Sequence, residues 1–252
     1  MSEKIWFENY FIAHRGLHNE EAPENTLPAF VNAIDNGYAI ELDVQQISDG
    51  NIIVFHDNKL NRLTGKDGYT KNLKKDDLST CFVLGTNNTI PLFSDVLKLV
   101  DGKVPLLIEI KNEYKVGDQE KAVLDILKDY KGEFAIQSFN PFVVQYIKKI
   151  EPNYTVGQLS SFFKKDKMSI IKKSFLKRLR FLKKFKTDFI NYDAQYLPNK
   201  YVEKHKDLPL LAYTIRSQEE YDRISNICTS VVFEGFTPIK KQLNDENQKS
   251  ES

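Results

Sequence analysis

Residue types that transfer protons or hold cations gather in one stretch, Ala39 to Asp57, which reads AIELDVQQISDGNIIVFHD. Glu41 and Asp43 are two apart, so on an extended strand both carboxylates leave the same face. Asp49-Gly50 is a two-residue hairpin signal, because a type I′ turn needs positive φ at both central positions. With that turn Ser48 faces Asn51, and counting along the ladder sets Asp43 opposite His56. Directly opposed residues share a face, so His56 is expected beside both acids. Two carboxylates and an imidazole on one face suit metal-assisted acid–base chemistry. The same pattern also fits a solvated polar face over a buried face of Ile40, Leu42, Val44, Ile53 and Phe55, with no chemistry attached.

Two further clusters could add to this one. Tyr10 to Ala13 is a short apolar run ending in His14-Arg15-Gly16, as the carboxyl end of a barrel strand often reads; a surface loop is the alternative. Val104 to Ile110, VPLLIEI, is expected to be a buried strand on which Glu109 shares a face with Lys111. A glutamate in such a strand is costly unless it is paired or binds a cation. Between these, Pro23-Glu24-Asn25-Thr26 precedes a helical pattern to about Asn36, where Asn25 or Thr26 suits the N-cap and Glu24 the helix dipole.

The elements that must position these residues follow a regular rhythm. After the hairpin, residues 58–91 are polar and read as an insertion with short helical turns, followed by a helical pattern at 93–99. Strands are then expected at Val104–Ile110, Glu133–Gln137, Tyr154–Gln158, Phe189–Tyr192, Leu208–Thr214 and Ser230–Phe233, alternating with helical patterns. With the first strand and the hairpin's outgoing strand this makes eight parallel strands. Eight βα units in a 252-residue chain predict a TIM-type (β/α)8 barrel with a β-hairpin and small insertion after the second strand. No glycine-rich dinucleotide or P-loop pattern appears, which argues against an open doubly wound sheet. A single domain over 1–243 and a disordered polar tail over 244–252 are the expected organisation.

Composition narrows the function classes. The formal net charge is +1, which gives no case for nucleic acid, and Cys81 and Cys228 are too few for a disulfide framework or a structural zinc site. The first residues have no long apolar core and no stretch reaches the roughly 20 apolar residues of a membrane span, so a soluble cytoplasmic protein is expected. Phe162 to Lys186 carries many lysines and arginines against the single acid Asp166, with Met168, Ile171, Phe175, Leu179 and Leu182 at helical spacing. The reading adopted is an outer barrel helix with its apolar stripe on the sheet. A weak contact of 162–186 with an anionic membrane surface is the alternative.

In order and spacing, His14-Arg15-Gly16, Pro23-Glu24-Asn25-Thr26, Glu41-Leu42-Asp43-Val44, His56-Asp57, Glu109-Ile110-Lys111 and Gln137-Ser138-Phe139 resemble the glycerophosphodiester phosphodiesterase family. The resemblance runs from about residue 11 to 140. It implies a TIM-type barrel, Glu41, Asp43 and Glu109 as ligands of a divalent metal, His14 and His56 as an acid–base pair, and Arg15 and Lys111 near the phosphate. An all-oxygen ligand set suits Mg²⁺ or Ca²⁺ and not zinc. The implied reaction is hydrolysis of a small glycerophosphodiester to glycerol 3-phosphate and an alcohol. His14 as base and His56 as acid is the working assignment, with the reverse open. A lysophospholipase D activity on lipid substrates, or a non-catalytic phosphodiester-binding barrel, are the alternatives. Late in the chain the pattern departs: Tyr213-Thr214 stands where the family usually has Trp-Thr, and Phe233-Glu234 where it usually has Thr-Asp. That bears on the alcohol pocket more than on the chemistry.

Overall fold

A computed structural model describes residues 5–112, 115–164 and 167–240. Its nine strands are β1 (Ile12–Ala13), β2 (Ala39–Gln46), β3 (Ile52–Val54), β4 (Leu106–Ile110), β5 (Phe134–Ser138), β6 (Val156–Ser160), β7 (Phe189–Asp193), β8 (Leu210–Ile215) and β9 (Ser230–Phe233). Eight of them run parallel, and β1 pairs with both β2 and β9, which closes the barrel. β3 is added antiparallel to the end of β2. The expected closed (β/α)8 architecture with its hairpin is therefore the observed one.

Alternation along the strands sorts the side chains. Ile40, Leu42 and Val44 of β2 and Leu106, Ile108 and Ile110 of β4 point outward into the layer under the helices. Ile12, Ala39, Leu107, Ala135, Phe189, Leu211 and Val232 point inward and pack with Trp6 and Phe7, from a 3₁₀ turn at Trp6–Asn9 that precedes β1. The rings of Phe7 and Phe189 meet edge to face with centroids 4.8 Å apart. Gly157 makes room for this plug, since a Cβ there would fall 2.2 Å from the Phe189 ring. The amino-terminal end of the barrel is thus filled by apolar side chains.

The hairpin departs from its expected register. β2 and β3 pair Val44 with Val54 and Gln46 with Ile52, one residue off the expected ladder, so Asp43 stands opposite Phe55 and not His56. The cause is the turn. Ile47 N–H donates to Asn51 O (3.0 Å) and Gly50 N–H to Ile47 O (3.0 Å), which leaves a three-residue loop. Only Gly50 is left-handed (φ 86°), while the Asp49 carboxylate accepts from Lys75 N (2.7 Å). That is the longer hairpin turn with a glycine bulge, and not a type I′ turn.

The stretch 58–91 builds a core of its own. Leu60, Leu63, Leu73, Leu78, Val83 and Ile90 pack with Ile53 and Phe55, on the face of the hairpin shared with Gln45, while Ile52 and Val54 on the other face join the layer under the helices. The basic segment corrects another expectation. It forms two short helices, Ile170–Lys177 and Leu182–Phe185; Phe163, Leu176, Leu179, Leu182 and Phe185 are buried, while Ile171 and Phe175 of the expected stripe are exposed. Lys165, Asp166 and the tail over 244–252 lie outside the described residues.

Candidate active site

The carboxyl ends of β1, β2 and β4 bring the predicted residues together. Glu41 and Asp43 follow Ala39 at two-residue steps on the inward face of β2, and Glu109 follows Leu107 on β4, where it pairs in register with Asp43. All three are buried, with one carboxylate oxygen from each lying within 4.8 Å of the others. This excludes the solvated-face reading of the hairpin.

The chain beyond β1 is bent sharply to serve these acids. Arg15 and Asn25 are both left-handed (φ 57°), and Asn25 N–H donates to Arg15 O (2.9 Å). Gly16 is left-handed as well, and a Cβ there would sit 2.9 Å from the Ala29 backbone. The bend aims Arg15 N–H at Glu41 Oε2 (3.0 Å) and holds the Arg15 guanidinium against Glu24 and, through Nε, 3.3 Å from Asp43 Oδ2. Asn25 does not cap the helix Leu27–Asp35. Its amide donates to Asp43 Oδ2 (2.9 Å) and its side-chain oxygen accepts from Asp43 N (3.3 Å). Thr26 holds the N-cap position without a side-chain cap bond, its hydroxyl donating instead to Pro23 O (2.6 Å).

Two cations compensate part of the negative charge. Lys111 Nζ lies 2.9 Å from Glu109 Oε1 and 3.7 Å from Asp43 Oδ1. Burial acts to lower the Lys111 pKa, but Glu109 and Asp43 outweigh it and hold it above the usual lysine value. Burial also raises Asp43, yet Lys111, His56 and Arg15 keep it well below the usual carboxylate range. Glu41 goes the other way: burial, then Asp43 and Glu109, push it well above its ordinary value. Three buried carboxylates with too little positive charge among them fit a bound cation, and their oxygens suit a hard one.

Both His14 and His56 are held by a carboxylate. His56 lies past the end of β3, off the ladder, and its charge acts to lower the Asp43 pKa. The Gln45 amide holds the backbone on either side of it by donating to Phe55 O (2.7 Å) and Asp57 O (3.1 Å). His56 Nδ1 lies 2.6 Å from Asp57 Oδ1. Asp57 is ionised, its pKa held low against burial by His56 and Arg62, so Nδ1–H donates to it and Nε2 is left for a reacting group. His14 Nδ1 pairs in the same way with Glu234, just past β9. Burial raises Glu234, but His14, His18 and Arg216 outweigh it and hold it well below the carboxylate range. Burial lowers the His14 pKa, against the opposing pull of Glu234.

Four of these groups have contacts that the sequence alone does not assign. Glu24 and Asn25 look like helix-start residues within a family motif, and Glu234, expected to bear on the alcohol pocket, instead pairs with His14. Arg62 lies in the insertion, where it pairs with Asp57 (Nε to Oδ2, 2.6 Å) and with Glu24 (2.7 Å) and so ties the His56 turn to the Arg15 loop.

The model of the glycerophosphoryl diester phosphodiesterase family matches residues 14–230. The chain belongs to that family. It is 36% identical over 160 residues to a glycerophosphodiester phosphodiesterase of Caldanaerobacter subterraneus, covering 59% of this chain and 65% of the relative. A Bacillus altitudinis enzyme of the same name is also 36% identical, with the same coverage. A lysophospholipase D of Rattus norvegicus is 32% identical over 144 residues, covering 52% of this chain and 45% of that protein. The matched region thus spans about 65% of the length of the first two relatives. Among solved structures, the family fold recurs in an Oleispira antarctica phosphodiesterase in complex with the product sn-glycerol-3-phosphate (TM-score 0.74, 24% identity, 89% of this chain and 92% of that one). It recurs in a Thermotoga maritima glycerophosphodiester phosphodiesterase (TM-score 0.70, 24% identity, 89% and 94%).

Proposed function

We propose that this member of the family is a metal-dependent phosphodiesterase that hydrolyses glycerophosphodiesters to glycerol 3-phosphate and an alcohol, on one domain spanning 1–243 with 58–91 as its insertion. The observation that carries the proposal is the buried set Glu41, Asp43 and Glu109, within 4.8 Å, beside two imidazoles each held by a carboxylate. In this reading the three acids hold Mg²⁺ or Ca²⁺ through oxygen alone. A cation held there would supply charge to neutralise the phosphoryl oxygens. Arg15 and Lys111 hold the anionic diester and the charge that builds on it. His14, kept neutral by burial, takes the proton of the attacking oxygen. His56 gives a proton to the leaving alcohol oxygen, its ring oriented by the contact of Nδ1 with Asp57. The histidines come from β1 and from beyond β3, so they can serve opposite sides of an in-line displacement.

The test is hydrolysis of a panel of glycerophosphodiesters by EDTA-treated protein, with and without added Mg²⁺ or Ca²⁺. Activity should vanish with EDTA and return with metal; full activity in the stripped protein would remove the metal from the mechanism. A lysophospholipase D activity uses the same groups and is favoured by the Rattus norvegicus relative. Lysophosphatidylcholine in the same panel separates the two substrate classes.

A further inference from the structure

The segment between β6 and β7 leaves apolar side chains in water where a barrel helix would bury them. Ile170 and Ile171, at the start of the helix Ile170–Lys177, are 86% and 70% exposed. Phe175, one turn on from Ile171, is also exposed, and its ring lies 6.0 Å from Phe181, which lies 5.9 Å from the exposed Phe142. The patch therefore continues onto the first turn of the helix Pro141–Ile150. Phe142 follows the carboxyl end of β5, and the loop leading to Ile170 leaves the carboxyl end of β6. Both sit at the end of the barrel that carries Glu41, Asp43 and Glu109.

The charge along this segment is nearly of one sign. The described residues of 162–186 include ten lysines and arginines, and Asp166 is the single acid in the sequence of that stretch, in a chain whose formal net charge is only +1. A second copy of the chain would bring an equally basic segment against the first, which opposes self-association through this face. An anionic bilayer offers what the segment lacks, with phosphates for the ammonium groups and an apolar depth for the isoleucines. No helix among the described residues is long and apolar enough to cross a membrane, so the contact is with the surface.

We propose that residues 167–186 dock the barrel on an anionic lipid bilayer, with Ile170 and Ile171 entering the headgroup layer and the flanking lysines resting on lipid phosphates. The contact sets the catalytic end of the barrel beside the membrane, where diesters derived from phospholipids arise. Docking is read without substrate, so it stands or falls apart from the catalytic reading.

The full chain is sedimented with vesicles of phosphatidylcholine alone and of phosphatidylcholine mixed equally with phosphatidylglycerol. The wild type should pellet with the mixed vesicles and not with the neutral ones, and salt should release it. Ile170→Ser with Ile171→Ser, and separately Lys172→Gln with Lys173→Gln, should each lower the partition coefficient by about tenfold or more. Both variants should hydrolyse small water-soluble diesters at the wild-type rate, which shows that they fold. Wild-type binding that ignores lipid charge, or no vesicle binding at all, would overturn the proposal. So would isoleucine variants that bind like the wild type, or a solution dimer that those variants dissolve.

Discussion

The two ends of the barrel are built from the same strands, two residues apart, yet they do opposite things. Ile12, Ala39 and Leu107 point inward at the amino-terminal end, and His14, Glu41 and Glu109 follow them at the other. The lower layer is packed with apolar side chains and closed by Trp6 and Phe7. The upper layer crowds three acids so closely that burial and mutual repulsion raise Glu41 far from its ordinary pKa. Apolar packing below offsets electrostatic cost above. Substitutions at the two ends should therefore separate stability from activity.

The largest effects are expected at the catalytic end. His14→Ala and His56→Ala should each slow natural diesters by about 10²–10⁴-fold, or about 3–5 kcal/mol on the barrier, without a matching loss of stability. A nitrophenyl diester needs little leaving-group protonation, so His56→Ala should lose much less on it than His14→Ala does. Equal losses on both substrates would break the assignment of base and acid. At the other end, Phe7→Ala should lower unfolding stability by about 3–5 kcal/mol in denaturant titrations, with the rate per folded molecule kept. Gly157→Ala, which drives a methyl into the Phe189 ring, should cost about 1–3 kcal/mol by the same measurement.

The smallest effect sharpens the upper end alone. Burial lowers the His14 pKa from 6.5, so its neutral, proton-accepting form persists below that pH, and the acid limb of kcat/KM should lie below 6.5. The unfolded chain takes up the proton first as pH falls, so this group's share of stability declines below 6.5. Glu234 raises the His14 pKa, and Glu234→Gln should move the limb to lower pH still while lowering the plateau. A limb that stays in place would remove Glu234 from the control of His14.

The barrel was legible because inward and outward faces alternate with a period of two and helices intervene with a period near 3.6. The acids stood out for the same reason: Glu41 and Asp43 alternate with Ile40, Leu42 and Val44, and Glu109 interrupts an otherwise apolar strand. The hairpin register was not, because Asp49 serves Lys75 and leaves only Gly50 left-handed, a choice made by the insertion packing beside it. Glu234 was assigned to the alcohol pocket and not to His14, and Arg62 was not singled out, because their partners, His14, Glu24 and Asp57, meet them only once the barrel closes and the insertion folds back. The basic segment misled in the opposite direction, since helical spacing of apolar residues says which face they share and not whether anything covers it.

The central claim, that three buried acids at the carboxyl end of β2 and β4 form a cation site, is tested most directly by calorimetric titration of EDTA-stripped protein with Mg²⁺ and Ca²⁺. The account predicts one divalent ion per chain, binding that is lost in Asp43→Asn and Glu109→Gln, and binding that is kept in His14→Ala and His56→Ala. Absence of binding in the wild type, or Asp43→Asn binding as tightly as the wild type, would contradict it.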